Sequence, residues 1–209
     1  MDYGSIVERI IENGEPGLAW LDNMRSFSRI GSEDAAVAHG GNRDFKDHRA
    51  MGGPPCLEQT LEPYEMCCLV ETFPSNHASY AEFEETLKLA FLYAKTVTLG
   101  EVHWTETAEV MKRNRRIGTS ISGVAQFVAQ HGMSTLREWS RKGFDFLNVW
   151  DTELSAKFGV PESIKKTCVK PSGTVSLLAG ATPGVHFPHS RRYLRRVRFN
   201  HDDPLVEQL

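Results

Sequence analysis

No apolar run in the 209-residue sequence approaches the length of a membrane span. The opening MDYGSIVERIIENG carries acidic residues where a secretory leader needs a basic start and an apolar stretch, so a cytoplasmic location is expected. Four cysteines are few for a secreted, disulfide-built domain of this size. They form no Cys-x-x-Cys or Cys-x-x-His pair, which argues against a zinc site and leaves reactive thiols or packed core residues. Excess charge is also missing: 24 Lys and Arg against 27 Asp and Glu give a net charge of −3. Neither nucleic acid nor a membrane surface would attract the molecule as a whole. Seventeen Gly and ten Pro are near average and exclude collagen-like and low-complexity chains. Repeats and linkers of biased composition are absent. What remains, with 40% hydrophobic and 24% charged residues, is globular.

Periodicity divides the chain into short strands and longer helices. A first helix is predicted over Ser5 to Asn13, with Ser5 as N-cap and Gly14 just beyond its end. Arg29 to Gly53, rich in Gly, Asp and His, reads as loop. Met66 to Val70 reads as a buried strand bounded by Pro63 and Pro74. Ser79 and Glu82 form a capping box, and Phe83, Leu87, Ala90, Phe91, Ala94 and Val97 follow at helical spacing up to Gly100. A helix over Glu106 to Asn114, a strand over Arg116 to Ser122 and a helix from Val124 that stops at Gly132 come next. A long amphipathic helix starts near Ser134 and ends at Gly159 and Pro161. A strand over Ile164 to Val169 leads into the loop PSGTVS and a short apolar helix, LLAG. Tyr193 to Phe199, alternating Arg with apolar residues, reads as a last strand, and Glu207-Gln208-Leu209 fall in what reads as a further helix. Strands separated by helices imply an α/β fold with parallel strands.

Four groups of residues offer chemistry. Cys56 and Glu58, two apart on an extended segment, would point the same way and pair a thiol with a carboxylate. The same spacing fits a packed cysteine beside a solvated acid. Gly52-Gly53-Pro54-Pro55 before them forms the stiff approach that loops presenting functional groups often have. Cys67 and Cys68 are neighbours on a strand, so only one can look toward Cys56, and both also suit a packed core. Pro171-Ser172-Gly173-Thr174-Val175-Ser176, after a strand and before a helix, offers free amides and hydroxyls to an anion. It lacks the Gly spacing and Lys-Ser/Thr pair of a P-loop, and it equally suits an ordinary turn. The arginines Arg191, Arg192, Arg195, Arg196 and Arg198 could grip phosphate, but they fit a solvated strand face better. His186 and His189 have no third ligand nearby and read as packing or hydrogen-bonding residues.

Three blocks, PCLEQTLEPYEMCCLVETFP, RRIGTSISGV and KPSGTVSLLAGATPGVHFPHSRRYLRRVRF, together resemble ribonucleotide reductases. They are most similar to the adenosylcobalamin-dependent ribonucleoside-triphosphate (class II) branch of that family. The resemblance runs from about Gly14 to Phe199. It implies an α/β fold in which residues 1–209 form part of a ten-stranded barrel with a central finger loop, without a separate allosteric domain or the C-terminal redox tail. It implies that Cys56 carries the thiyl radical, Glu58 is the base at the substrate 3′-hydroxyl and Cys67 is one member of the reducing dithiol. Pro171, Ser172, Gly173, Thr174 and Val175 match the loop that holds the substrate phosphates. Adenosylcobalamin is the implied cofactor, and no metal ligands are expected among these residues. A ribonucleoside triphosphate, a thioredoxin-like reductant and a complementary reductase fragment are the implied partners, with no direct nucleic acid and no membrane. One position departs from the family's Asn-x-Cys-x-Glu pattern: Pro54 stands where Asn donates hydrogen bonds at the substrate hydroxyls. That change leaves open a nucleotide-binding or scaffold remnant without activity, and the blocks also admit a reductase with another radical source.

Overall fold

A computed structural model describes residues 3–30, 46–188, 190–194, 196, 198–200 and 202–206. Helix α1 (Tyr3–Asn13) starts two residues before Ser5, which therefore lies inside it rather than capping it, and closes at Gly14, whose φ of 79° is available to glycine at little cost. Helix α2 (Leu21–Phe27) follows. Strand β1 (Leu69–Thr72) pairs in parallel with β2 (Gly118–Ile121) in the register Leu69↔Gly118 to Thr72↔Ile121. Between them run a 3₁₀ turn at Pro74–Asn76 and helices α3 (Tyr80–Val97) and α4 (Thr105–Asn114). The ends of α3 are set locally: Ser79 Oγ accepts from the Glu82 amide at 3.3 Å, while Glu82 Oε2 reaches back to the Ala78 amide at 2.9 Å.

Helix α5 (Val124–Phe158) is continuous in outline but broken at Gly132 (φ 81°, ψ 163°), where the sequence places a helix stop. Its apolar stripe packs on α3. Phe83, Leu87 and Phe91 from α3 join Ile117, Phe127, Trp139, Leu147 and Leu154 in one buried cluster, with Val70 and Ile121 of the sheet against it. Each such side chain contributes about 1.5–3 kcal/mol when fully buried. Phe83 stacks on Trp139 with ring centroids 5.6 Å apart. Gly143 lets the helices approach, since a Cβ there would lie 2.9 Å from Leu87 Cδ1. Below the cluster, Lys95 is buried and donates to Asp151 Oδ1 (2.7 Å), Pro161 O (3.1 Å) and Ser163 Oγ (3.1 Å), tying α3, α5 and the following segment together.

Three strand expectations need correction. The first strand is displaced from Met66–Val70 to Leu69–Thr72, because its ladder exists only where β2 faces it; the Met66 amide donates to Met111 Sδ instead. The stretch Ile164 to Val169 runs alongside β2 with a single parallel bridge, Thr119↔Thr167. Its ladder stops because the Lys170 amide donates to Ser120 Oγ at 2.9 Å rather than continuing along the β2 carbonyls. Tyr193, Leu194, Arg196, Arg198 and Phe199 lie in no strand, and Leu194 is fully exposed. Alternation alone supplies no backbone partner. Arg195, Val197, His189 and residues 207–209 lie outside the described residues, as do residues 31–45 of the expected loop. The short helix α6 (Val175–Leu178) begins inside PSGTVS rather than after it. Among the described residues no helix is long and apolar enough to cross a membrane. The architecture is α/β: a small parallel sheet with helices.

Candidate active site

The segment before β1 forms a closed loop. The Met51 amide donates to Leu61 O (2.9 Å) and the Leu61 amide to Gly52 O (2.8 Å), so Gly52 and Leu61 make an antiparallel bridge at its base. At the tip, the Leu57 amide donates to Pro54 O at 2.8 Å and closes a turn with Pro55 and Cys56 at its centre. A proline at the first central position presets that turn. Leu57 then adopts φ 52°, and Gly53 is pressed against the Gln59 carbonyl so closely that a Cβ would collide with it.

This geometry changes the relation between the two candidate residues. Cys56 is exposed at the tip, whereas the Glu58 side chain is wholly buried. They do not share a direction as residues two apart on a strand would, because the turn and the left-handed Leu57 intervene. All four cysteines are free thiols. Cys68 is buried, while Cys67 is half-buried on the alternate side. Burial first, and the Glu58 charge second, push the Cys67 thiol up to about 11. Cys168 lies further along the same face, where burial pushes its thiol up to about 12.

Gly118 lies where Cys168 and Gln59 converge. A Cβ there would lie 2.7 Å from Cys168 Sγ, 2.7 Å from Gln59 Nε2, and in collision with Leu69 Cδ2. Alanine at position 118 should therefore destabilise the fold by about 1–3 kcal/mol, the usual range for overpacking, read as a lower urea midpoint at unchanged slope.

The expected anion loop lies just past the C-terminal end of β2, where α/β folds commonly hold ligands. Ser122 Oγ donates to Ser172 Oγ (2.9 Å) and accepts from the Gly184 amide (2.8 Å). Gly173 has φ 59°, and Ser176 Oγ donates to its carbonyl at 2.6 Å. Pro171, Gly173, Thr174 and Val175 are exposed and Ser172 is half-buried, so the loop is open to a ligand.

Lys170 joins the two halves. Its ammonium lies 3.0 Å from Glu58 Oε1, and Glu58 raises it above the usual lysine range. Neither Glu58 oxygen has a hydrogen-bond partner of good geometry among the described residues, so the Lys170 contact is an ion pair. Glu71 accepts from Ser120 Oγ at 3.1 Å on the same face, and burial raises its carboxyl against the pull of Ser122, Ser120 and Lys170. A cleft of about 680 Å³ opens beside Glu58, with Thr119, Lys165 and Cys168 among the residues of its largely apolar wall. Glu58, Cys67, Lys170 and the start of the anion loop are thus brought together. Residue type alone assigns no role to Lys170, Glu71 or Ser120; the one available signal is a lysine directly before the anion loop. Among the described basic residues of the C-terminal cluster, Arg191, Arg192, Arg196 and Arg198 are exposed.

No family model matches the sequence. Individual proteins do. A probable adenosylcobalamin-dependent ribonucleoside-triphosphate reductase of Dictyostelium discoideum is 54% identical over all 209 residues, which make up 26% of that protein. The adenosylcobalamin-dependent ribonucleoside-triphosphate reductase of Euglena gracilis is 52% identical over the whole chain and 27% of its own length. That of Lactobacillus leichmannii is 32% identical over 233 residues, 30% of its length. A crystal structure of a B12-dependent (class II) ribonucleotide reductase superposes with a TM-score of 0.73 at 30% identity, covering 88% of this chain and 28% of the other. The chain spans about a quarter of the length of the first two relatives. Similarity along the entire sequence, together with the shared fold, makes this chain a member of the adenosylcobalamin-dependent ribonucleoside-triphosphate reductase family, corresponding to one portion of such a reductase.

Proposed function

We propose that the chain is part of the catalytic barrel of an enzyme that reduces ribonucleoside triphosphates to 2′-deoxyribonucleotides, the precursors of DNA. In this reading residues 1–209 contribute to a ten-stranded barrel, the loop Gly52–Leu61 is its finger, and a complementary portion of reductase completes it in the cytoplasm. The observation that carries the reading is the contact between Glu58 and Lys170, which joins the acid of the finger loop to the residue that starts the anion loop.

Adenosylcobalamin, the cofactor named for the relatives, supplies the initial unpaired electron when bound. The exposed Cys56 thiol suits a bulky group approaching from outside the loop. None of the described residues is assigned to hold that group. As a thiyl radical, Cys56 takes the 3′-hydrogen of the ribose and becomes a thiol, leaving the radical on carbon 3′. Glu58 accepts the 3′-hydroxyl proton while the 2′-hydroxyl departs as water. The proton for that water comes from the dithiol to which Cys67 belongs. Its burial keeps the thiol protonated at neutral pH, as this step requires. The dithiol supplies two electrons, gives its second hydrogen to carbon 2′ and becomes a disulfide; Glu58 returns its proton to the 3′-oxygen, Cys56 returns its hydrogen to carbon 3′, and a thioredoxin-like reductant reopens the disulfide by exchange. Pro171 sets the start of the phosphate loop. The amides and hydroxyls of Ser172, Gly173, Thr174 and Val175 hold the triphosphate, at about 1.5–3 kcal/mol for each charge-assisted hydrogen bond.

The test is a chimera in which this chain replaces the matching portion of the Dictyostelium reductase. Deoxynucleotide formation that depends on added adenosylcobalamin is expected. Triphosphate binding without any turnover would overturn the catalytic reading in favour of a scaffold.

One residue favours that second reading. Pro54 keeps the backbone role of its position, since its carbonyl accepts the turn hydrogen bond from Leu57, but its side chain offers no donor. Loss of one aimed donor costs roughly 10²–10³ in rate. Pro54→Asn in the chimera should raise kcat by up to about that factor. An unchanged rate would show that the donor is not what limits turnover.

A further inference from the structure

Glu58 poses an electrostatic problem. Its side chain is fully buried, and a carboxylate without a cation in such a place takes up a proton. The groups around it come from four places in the chain. Cys56 lies on its own loop, Cys67 before β1, Cys168 beside β2, and Lys165 in the shared wall of the cleft. Cys67 and Cys168 remain neutral thiols at pH 7, with values near 11 and 12. Burial, followed by the Arg116 charge, pushes the Lys165 ammonium below the usual lysine range, and Lys165 makes no ion pair with Glu58 among the described residues. Lys170 alone of the described cations touches the carboxylate, through Oε1 at 3.0 Å. Its backbone is fixed by the hydrogen bond to Ser120 Oγ, and Glu71 on β1 faces the same ammonium.

We infer that Lys170 is a positioning residue: its ammonium compensates the charge of the buried Glu58 side chain through the contact at Oε1 and orients the carboxylate that takes the substrate proton. The inference rests on the reductase reading for the proton's destination. The ion pair itself is a property of the chain. Because Pro171 follows directly, the residue that charges the base also starts the loop that receives the phosphates.

Two measurements separate these claims. The first follows the protonation of Glu58 in the full chain by infrared difference spectroscopy, with Glu58→Gln assigning the band. Lys170→Met should raise the midpoint by about one pH unit or more, a tenfold change in proton affinity, whereas Lys170→Arg should leave it nearly in place. The second is the pH profile of kcat/KM in the chimera, whose acidic limb should move up by the same amount in Lys170→Met and not in Lys170→Arg. If Lys170→Met loses its fold, the double variant with Glu58→Gln, which leaves no unpaired buried charge at this site, should regain it. An unchanged Glu58 midpoint in Lys170→Met overturns the inference. A midpoint that moves while the unmodified chimera makes no deoxynucleotide sinks the reductase reading and leaves the Lys170 pairing standing.

Discussion

Replacing Cys56 by alanine or serine is expected to reduce nucleotide reduction in the chimera to background while leaving the fold intact. Background here means a loss of at least about 10⁴, the upper range for removing one catalytic group, because no other side chain takes over hydrogen abstraction. The structural argument is that Cys56 is exposed at the tip of a turn held by backbone hydrogen bonds between Pro54 and Leu57 and between Gly52 and Leu61. None of these bonds uses the sulfur. The thiol is therefore free of structural duty, and its removal should not lower the urea midpoint by more than a few tenths of a kcal/mol, as for other surface changes. Residual turnover above about one part in a thousand would remove Cys56 from the radical step. Triphosphate binding by Cys56→Ala should match the unmodified chain, since the phosphate loop lies in a different segment.

The largest effect on stability is expected at Arg116, whose side chain is completely buried. Its guanidinium grips Asp47 with two hydrogen bonds, Nη1 to Oδ2 at 2.8 Å and Nη2 to Oδ1 at 3.1 Å. It also reaches Thr60 Oγ1 (2.9 Å) and Glu65 Oε1 (3.0 Å). Asp47 precedes the Cys56 loop, Thr60 lies in its returning arm and Glu65 follows it, so one side chain just before β2 pins both stems. Arg116→Met leaves two buried carboxylates without their cation, which typically costs about 3–5 kcal/mol. Lysine should not restore the loss, because an ammonium cannot reproduce the fork. Denaturant unfolding measures both variants; a shift under about 1 kcal/mol would show that the network is not what holds the loop.

The same network carries a pH dependence. Burial alone would raise the Asp47 carboxyl, but hydrogen bonding and attraction from Arg116, with help from Thr60 and Ser28, outweigh it and hold the group below its ordinary value of 3.8. A lowered carboxylate pKa stabilises the native state fully above that ordinary value and loses its contribution as pH falls through the lowered one. The acid limb of the stability curve should therefore lie below pH 4 and flatten in Asp47→Asn, as far as this group contributes.

Helices were legible because their signals are local. The capping box at Ser79 and Glu82, the stop at Gly132 and the end at Gly159 all act within a turn or two of chain, and the structure honours each. Strand limits were less so. Ile164–Val169 has a strand's pattern, yet one hydroxyl, Ser120 Oγ, captures the amide that would have extended its ladder. Cys56 and Glu58 could be selected by residue type and family resemblance, but not oriented, because the turn between them depends on how the loop closes at Gly52 and Leu61.

Residue identities along the chain thus determined the α/β class, most helix ends, the family and the residues to examine. Tertiary structure decided which of those residues meet. Arg116 finds Asp47 at a separation of 69 residues and Lys95 finds Asp151 at 56, and Lys170 reaches Glu58 from the segment that runs beside β2. Helix signals act through bonds between residues three or four apart, whereas a buried charge is stable only beside a partner that folding must deliver.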